Sequence, residues 1–109
     1  MKGRSDFVTN SSSTAYIIFN KTAKKKTLAE LVNEIGPVVM RTILEYFPET
    51  TLEHLLISSN QDKRVFYPGE TYVSFGAEEG TPVGRALDYA LREGGETKNF
   101  KWSFREWLR

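Results

Sequence analysis

The first strong feature along the chain is an unbroken apolar run, Ala15-Tyr16-Ile17-Ile18-Phe19. Such a run suits a strand covered on both faces or lying at the centre of a sheet. A polar, basic turn from Lys21 to Lys26 follows, and then Thr27 with Glu30 three residues on, a T-x-x-E capping box that starts a helix at Leu28. Leu28, Leu31, Val32, Ile35, Val39, Ile43 and Phe47 keep helical spacing on one face. Gly36-Pro37 interrupts that stripe, because Pro37 has no N–H for the carbonyl four residues back. Since the stripe stays in phase beyond it, a kinked helix is favoured over two helices end to end.

After Pro48, Thr50 and Glu53 form a second capping box that introduces a short helix through Leu52, Leu55, Leu56 and Ile57, ending near Ser58-Ser59-Asn60. Val65-Phe66-Tyr67 and Thr71-Tyr72-Val73-Ser74-Phe75 are β-rich, and the turn composition Pro68-Gly69-Glu70 between them predicts a hairpin. Thr81-Pro82 reads as an N-cap and first helical residue. The helix it opens buries Val83, Ala86, Leu87, Ala90 and Leu91, carries Asp88 and Arg92 on its wet side and stops at Gly94. In the last segment Phe100, Trp102 and Phe104 alternate with Lys101, Ser103 and Arg105, although Phe100, Phe104, Trp107 and Leu108 also fit a helix. Gly94-Gly95 and the period-two aromatics favour the strand.

The order β-α-α-β-β-α-β predicts one α+β domain over residues 1–109: a mostly antiparallel sheet of about four strands, with helices on one face. Residues 1–13 read as a polar segment, either a flexible start or a turn leading into the first strand.

Composition narrows the chemistry more than it names it. A chain of 109 residues supports one core. It has no cysteine, which removes disulfides, thiolate nucleophiles, iron–sulfur clusters and the usual structural zinc sites. Its 15 Lys+Arg balance 14 Asp+Glu to a net charge of +1, so nothing pulls the whole molecule toward nucleic acid or anionic membrane. The longest apolar runs fall far short of the roughly 20 residues of a membrane span, and the N-terminus shows no apolar secretory core. The expected setting is cytoplasmic, away from membranes.

One stretch carries a resemblance. Ser5-Asp6-Phe7-Val8-Thr9-Asn10-Ser11-Ser12-Ser13, following Met1-Lys2 and running into a hydrophobic strand, resembles the start of small uncharacterised bacterial and mobile-element proteins that share a DFVTNSSS-type motif. It covers roughly the first sixth of the chain. The resemblance implies a bacterial or phage origin and no mechanism. Within the motif, Asp6, Phe7, Asn10, Ser11, Ser12 and Ser13 are its marked positions; clustered hydroxyls beside Asp6 suit modification by a transferase or kinase, or presentation of a main-chain edge.

Catalytic signals are thin. His54 is the only histidine, which excludes a multi-histidine metal site within one chain, and it reads as a surface residue. The serines of the motif lack a base at a recognisable spacing. The loop Gly76-Ala77-Glu78-Glu79-Gly80 running into a helix could expose N–H groups to phosphate, but it has no lysine in the Walker position and Glu78 and Glu79 would repel an anion. Those two glutamates are no better as a general acid/base pair, being neighbours in a loop with no partner in view. No catalytic residue, cofactor or metal is expected.

Binding is the better expectation. Lys21, Lys24, Lys25 and Lys26 form the one concentrated positive cluster, and Lys98, Lys101 and Arg105 join it if the last strand pairs with the first. Tyr16 or Trp102 would then offer a stacking surface. An aromatic fraction of 13% leaves room for an exposed aromatic contact. The leading expectation is therefore a non-catalytic module that binds another protein through an aromatic or strand-edge surface, a phage-type inhibitor of a host system being one form. The alternative is a small nucleic-acid binder working through the lysines.

Overall fold

The computed structural model describes residues 13–76 and 81–108. The elements in chain order are β1 (Ser13–Asn20), β2 (Lys26–Thr27), α1 (Leu28–Tyr46), α2 (Leu52–Asn60), β3 (Val65–Phe66), β4 (Gly69–Gly76), α3 (Pro82–Ala90), β5 (Gly95–Glu96) and β6 (Phe100–Leu108). The main sheet is antiparallel, in the order β4-β1-β6-β5, and β2 and β3 form a separate two-stranded ladder. The α+β architecture and element order expected from the pattern are those observed.

β1 is the central strand, paired with β4 on one side and β6 on the other. Its even-numbered residues Thr14, Tyr16, Ile18 and Asn20 are buried, whereas Ile17 is half-buried and Phe19 exposed. The buried side meets Val73 and Phe75 of β4, Phe100 and Trp102 of β6, and the apolar faces of all three helices in one cluster. The helices thus cover one face of the sheet. Burying each Leu or Ile of this layer contributes about 1.5–3 kcal/mol.

α1 opens with the capping box as expected: the Thr27 hydroxyl accepts the Glu30 N–H at 3.1 Å, and the Glu30 carboxylate accepts the Thr27 N–H at 2.9 Å. The helix continues through Pro37 as one element. Pro37 and Asn33 both lie on the exposed side, where the carbonyl left without a donor faces water. Gly36 faces inward, and a Cβ there would come within 2.5 Å of Leu52 Cδ1. Its bare backbone is what lets α2 lie against α1.

Four local expectations are corrected. The cap of α2 is Thr51, whose hydroxyl accepts the His54 N–H at 3.1 Å, while the Thr50 N–H turns back to the Phe47 carbonyl; Glu53 then falls one position short of closing a box. Residues 65–75 do not form a hairpin. β3 pairs with β2, and Gly69, at φ +98°, turns the chain so that β4 runs beside β1. Asp88 is not on a wet face: it is 1% exposed, beneath β1. Ser13 belongs to the fold rather than to a tail, being a buried first residue of β1 that packs so closely on Gly76 that a Cβ there would lie 2.6 Å from its Cα. Asp6, Phe7, Asn10, Ser11 and Ser12 lie outside the described residues, as do Glu78 and Glu79.

α3 follows expectation at both ends. Thr81 caps it through the Gly84 N–H, Pro82 takes its first position, and Gly94, at φ +74°, returns its N–H to the Leu91 carbonyl. The last segment is a strand, β6, with a bulge: Tyr16 pairs with Phe104 and Ala15 with Glu106, leaving Arg105 as the extra residue.

Candidate functional site

At the Asn20 end of the sheet, the pairing of β1 with β6 brings the two lysine clusters together, since Asn20 stands opposite Phe100 and the Lys21 N–H donates to the Asn99 carbonyl. Much of that end is spoken for internally. Asn20, almost fully buried, donates to the Lys24 and Phe66 carbonyls at 2.8 Å each and accepts from the Thr22 N–H and hydroxyl. This ties the lysine turn to β3. Lys21 is paired with Glu96 and donates to the Thr97 carbonyl at 2.8 Å, and its ammonium holds the Glu96 carboxyl below the usual range. Lys26 lies 3.9 Å from Glu30.

Beneath them, Glu34 of α1 clamps the β5–β6 turn. Its carboxylate accepts from the Thr97 hydroxyl, from the Asn99 N–H at 2.9 Å and from the Asn99 side-chain amide at 2.7 Å. Burial alone would raise its pKa; the three hydrogen bonds, with Lys26 nearby, outweigh that and lower it. The exposed cations left at this end are Lys24, Lys25, Lys98 and Lys101.

The two aromatic rings expected to stack a ligand beside those lysines are not available. Trp102 is 2% exposed and sits in the core, and Tyr16 is fully buried. Strand alternation decides this: Trp102 stands opposite Ile18 and shares its inward face, so Lys101 takes the outward one. The aromatic beside the lysines is Phe19, 40% exposed and opposite Lys101 on the open face of the sheet. Arg105 is far along β6 from the lysine turn, near the other end. His54 is exposed on α2. Among the described residues, no three His, Cys, Asp or Glu side chains gather as a metal site would need, and no helix is long and apolar enough to cross a membrane.

The other end of the sheet carries a different surface. Arg85 is exposed on α3, Tyr89 is half-buried on it and Arg92 follows two residues beyond its end, and rings from the end of α1 and from β6 close on them from both sides. The Arg85 guanidinium stands 5.7 Å from the Phe47 ring centre; Tyr89 meets Phe47 edge-on at 5.5 Å and stacks on Tyr46 at 4.3 Å. Arg92 lies between two rings, 4.3 Å from that of Tyr89 and 4.6 Å from that of Trp107, and Phe104 meets Trp107 at 5.1 Å. The result is a continuous ridge of alternating rings and guanidinium groups. Tyr46 is 54% exposed, Trp107 53% and Phe104 40%. At the Phe47 end the ridge borders a cleft of about 230 Å³ lined by Phe47, Thr50, Pro82, Arg85 and Ala86.

A buried polar network holds Arg92 in its place. Asp88 accepts from the Thr14 hydroxyl at 2.5 Å and from Arg92 Nη2 at 3.3 Å, while its main-chain carbonyl accepts from the Tyr16 hydroxyl at 2.5 Å and from Arg92 Nε at 2.9 Å. Burial, with the Asp88 charge adding to it, pushes the Tyr16 phenol up to about 12. It therefore stays a neutral donor at any physiological pH. Of these three only Arg92 stood out in the sequence; the four-residue spacing of Arg85 and Tyr89 could have added them, whereas their aromatic neighbours, drawn from the end of α1 and from β6, come together only in the fold.

The sheet edges also differ. β5 covers β6 only at Lys101 and Trp102, so among the described residues the outer side of Ser103–Leu108 has no neighbouring strand. On the opposite edge, Arg64 donates to the Ser74 carbonyl of β4 at 2.7 Å while lying over the Phe75 ring.

Comparison of the chain with models of protein families, with curated proteins and with solved structures yields no match.

Proposed function

We propose that this chain is a non-catalytic protein-interaction module that binds another protein through the ridge of Phe47, Arg85, Tyr46, Tyr89, Arg92, Trp107 and Phe104. The observation that carries the reading is the exposure of three large rings in one contiguous row with two arginines. Tyr, Trp and Arg are the residues that dominate binding energy at protein interfaces, because they bury much apolar area while keeping a polar group to satisfy. Rings already packed against each other lose little side-chain freedom on binding. With Arg85 and Arg92 in the row, the complementary surface is apolar with carboxylates at its rim. The N-terminal resemblance supports a bacterial or phage origin, and with it a cytoplasmic inhibitor or regulator of a host protein.

A second reading is favoured by one observation. Phe19 is exposed beside Lys101, with Lys24, Lys25 and Lys98 at the same end, an arrangement able to hold a nucleic-acid strand by its backbone and stack one base.

A tagged pull-down from a bacterial lysate, with and without nuclease, tests both. The first reading expects a protein retained by the native chain, insensitive to nuclease and to moderate salt, and lost by Tyr89→Ala and Trp107→Ala. If retention ignores those two substitutions, the ridge is not the interface. Nucleic acid that is released by salt and by Lys24→Glu with Lys25→Glu establishes the second reading.

A further inference from the structure

Among the described residues the outer edge of β6 from Ser103 to Leu108 has no neighbouring strand, and the bulge makes that edge self-complementary. Phe104 and Trp107 stand opposite Tyr16 and Thr14, the residues of β1 that face the helices, so both rings lie on that side of the sheet despite being three residues apart. Glu106 stands opposite Ala15 on the other side, where it accepts the Tyr72 hydroxyl at 2.7 Å. Arg105, the extra residue of the bulge, shares with Glu106 the position opposite Ala15. Reading along the edge, one side carries Phe104 and Trp107 and the other Arg105 and Glu106, both pairs centred on the same peptide.

Edges of soluble sheets are usually blunted by charged side chains, by bulges or by a covering group. β4 has such a group in Arg64, bound to the Ser74 carbonyl. On β6 the two adjacent charges are opposite, which attracts rather than repels a copy of itself. We propose that two copies of this chain pair antiparallel through Ser103–Leu108 of β6, about a two-fold axis perpendicular to the sheet and passing between Arg105 and Glu106. Phe104 then stands opposite Trp107 of the second copy on the helix side, and Arg105 opposite Glu106 of the second copy on the open side, each contact occurring twice. The two bulges face each other, so neither strand has a surplus residue. One oxygen of Glu106 stays with Tyr72 while the other receives the incoming guanidinium. The sheet becomes continuous through both copies. This pairing shares Phe104 and Trp107 with the ridge and leaves Arg85, Tyr89 and Tyr46 outside it, and the charge variants below touch only Arg105 and Glu106, which the ridge does not include.

The test is sedimentation velocity over about two decades of micromolar concentration. The native chain is expected to rise from its 12.5 kDa mass toward twice that value. Arg105→Glu and Glu106→Arg, each of which sets like charges opposite each other, are expected to weaken association at least tenfold. The double variant Arg105→Glu with Glu106→Arg restores it, since the same two-fold then pairs the charges in reverse. A native chain monomeric throughout, single variants that dimerise unchanged, or a double variant that stays monomeric would each overturn the proposal. Hydrogen exchange gives a readout that needs no variant: the amides of Ser103–Leu108 should gain protection with rising concentration, and a concentration-independent pattern there speaks equally against pairing.

Discussion

The two ends of the central strands face opposite ways in energetic terms. At the Asn20–Phe100 end, groups that look available in the sequence are consumed within the fold: Asn20 fastens the lysine turn, Glu96 takes Lys21, and Glu34 takes Thr97 and Asn99. At the Thr14–Trp107 end the buried polar groups satisfy one another underneath, and what they hold up is a row of exposed rings. Density of charge along the sequence is therefore a poor guide to which polar groups this fold leaves free of internal partners. The contrast lies in whether polar groups close on themselves or support an apolar surface above them.

The strongest perturbation should come from the layer both ends rest on. Leu87→Asp, or Val39→Asp, places an unpaired charge in the core and should cost about 3 kcal/mol or more, abolishing the cooperative thermal transition; a melt like that of the native chain would overturn the assignment of the shared layer.

Next comes the self-satisfied end. Asn20→Ala strands the carbonyls of Lys24 and Phe66 and the donors of Thr22, a loss of about 2–3 kcal/mol. That corresponds to a drop in melting temperature of roughly 10 °C or more for a domain of this size. A change confined to a degree or two would mean that the lysine turn is not fastened as described.

Acid should probe the same end by a different route. The folded-state pKa of Glu34 is lowered, so its stabilisation is fully present above the unfolded value of 4.5 and is lost as pH falls through the folded value. Chemical denaturation followed downward from neutral pH should show stability declining below that value, with a shallower decline in Glu34→Gln. Equal slopes in the two proteins would remove Glu34 from the account.

The smallest stability effects belong to the exposed surfaces. Trp107→Ala should cost about 1 kcal/mol or less, and Lys24→Glu about 0.5 kcal/mol or less. Their separation is expected in binding, where the tryptophan matters and the lysine does not. A Lys24 effect exceeding that of Trp107 in the pull-down would reverse the comparison.

Much of the framework was legible because it rests on short-range physics. Thr27 with Glu30, Thr81 with Pro82, the helical stripe from Leu28 to Ile43 and the apolar run of β1 act within a few residues, and each stands where the pattern placed it. Where a local signal had two nearly equal solutions, packing chose. Thr50 and Thr51 are equally good caps in isolation, and the turn contact of Thr50 with Phe47 left the role to Thr51. Val65–Phe66 could have paired forward, but the Phe66 carbonyl meets Asn20 and the strand joins β2 instead.

By itself, then, the sequence determined the main elements, their order and the apolar residues that the helices bury, because capping and periodicity depend on neighbours along the chain. Tertiary structure decided what those elements expose. Trp102 and Trp107 belong to one strand and read alike as letters, yet the helices cover the first, while the bulge at Arg105 places the second beside Arg92 at the exposed end. Asp88 and Arg92, four apart at the end of α3, look like a surface pair until Thr14 of β1 closes on the Asp88 carboxylate and Tyr16 on its main-chain carbonyl. Both outcomes depend on contacts between residues far apart in the chain, which local pattern does not encode.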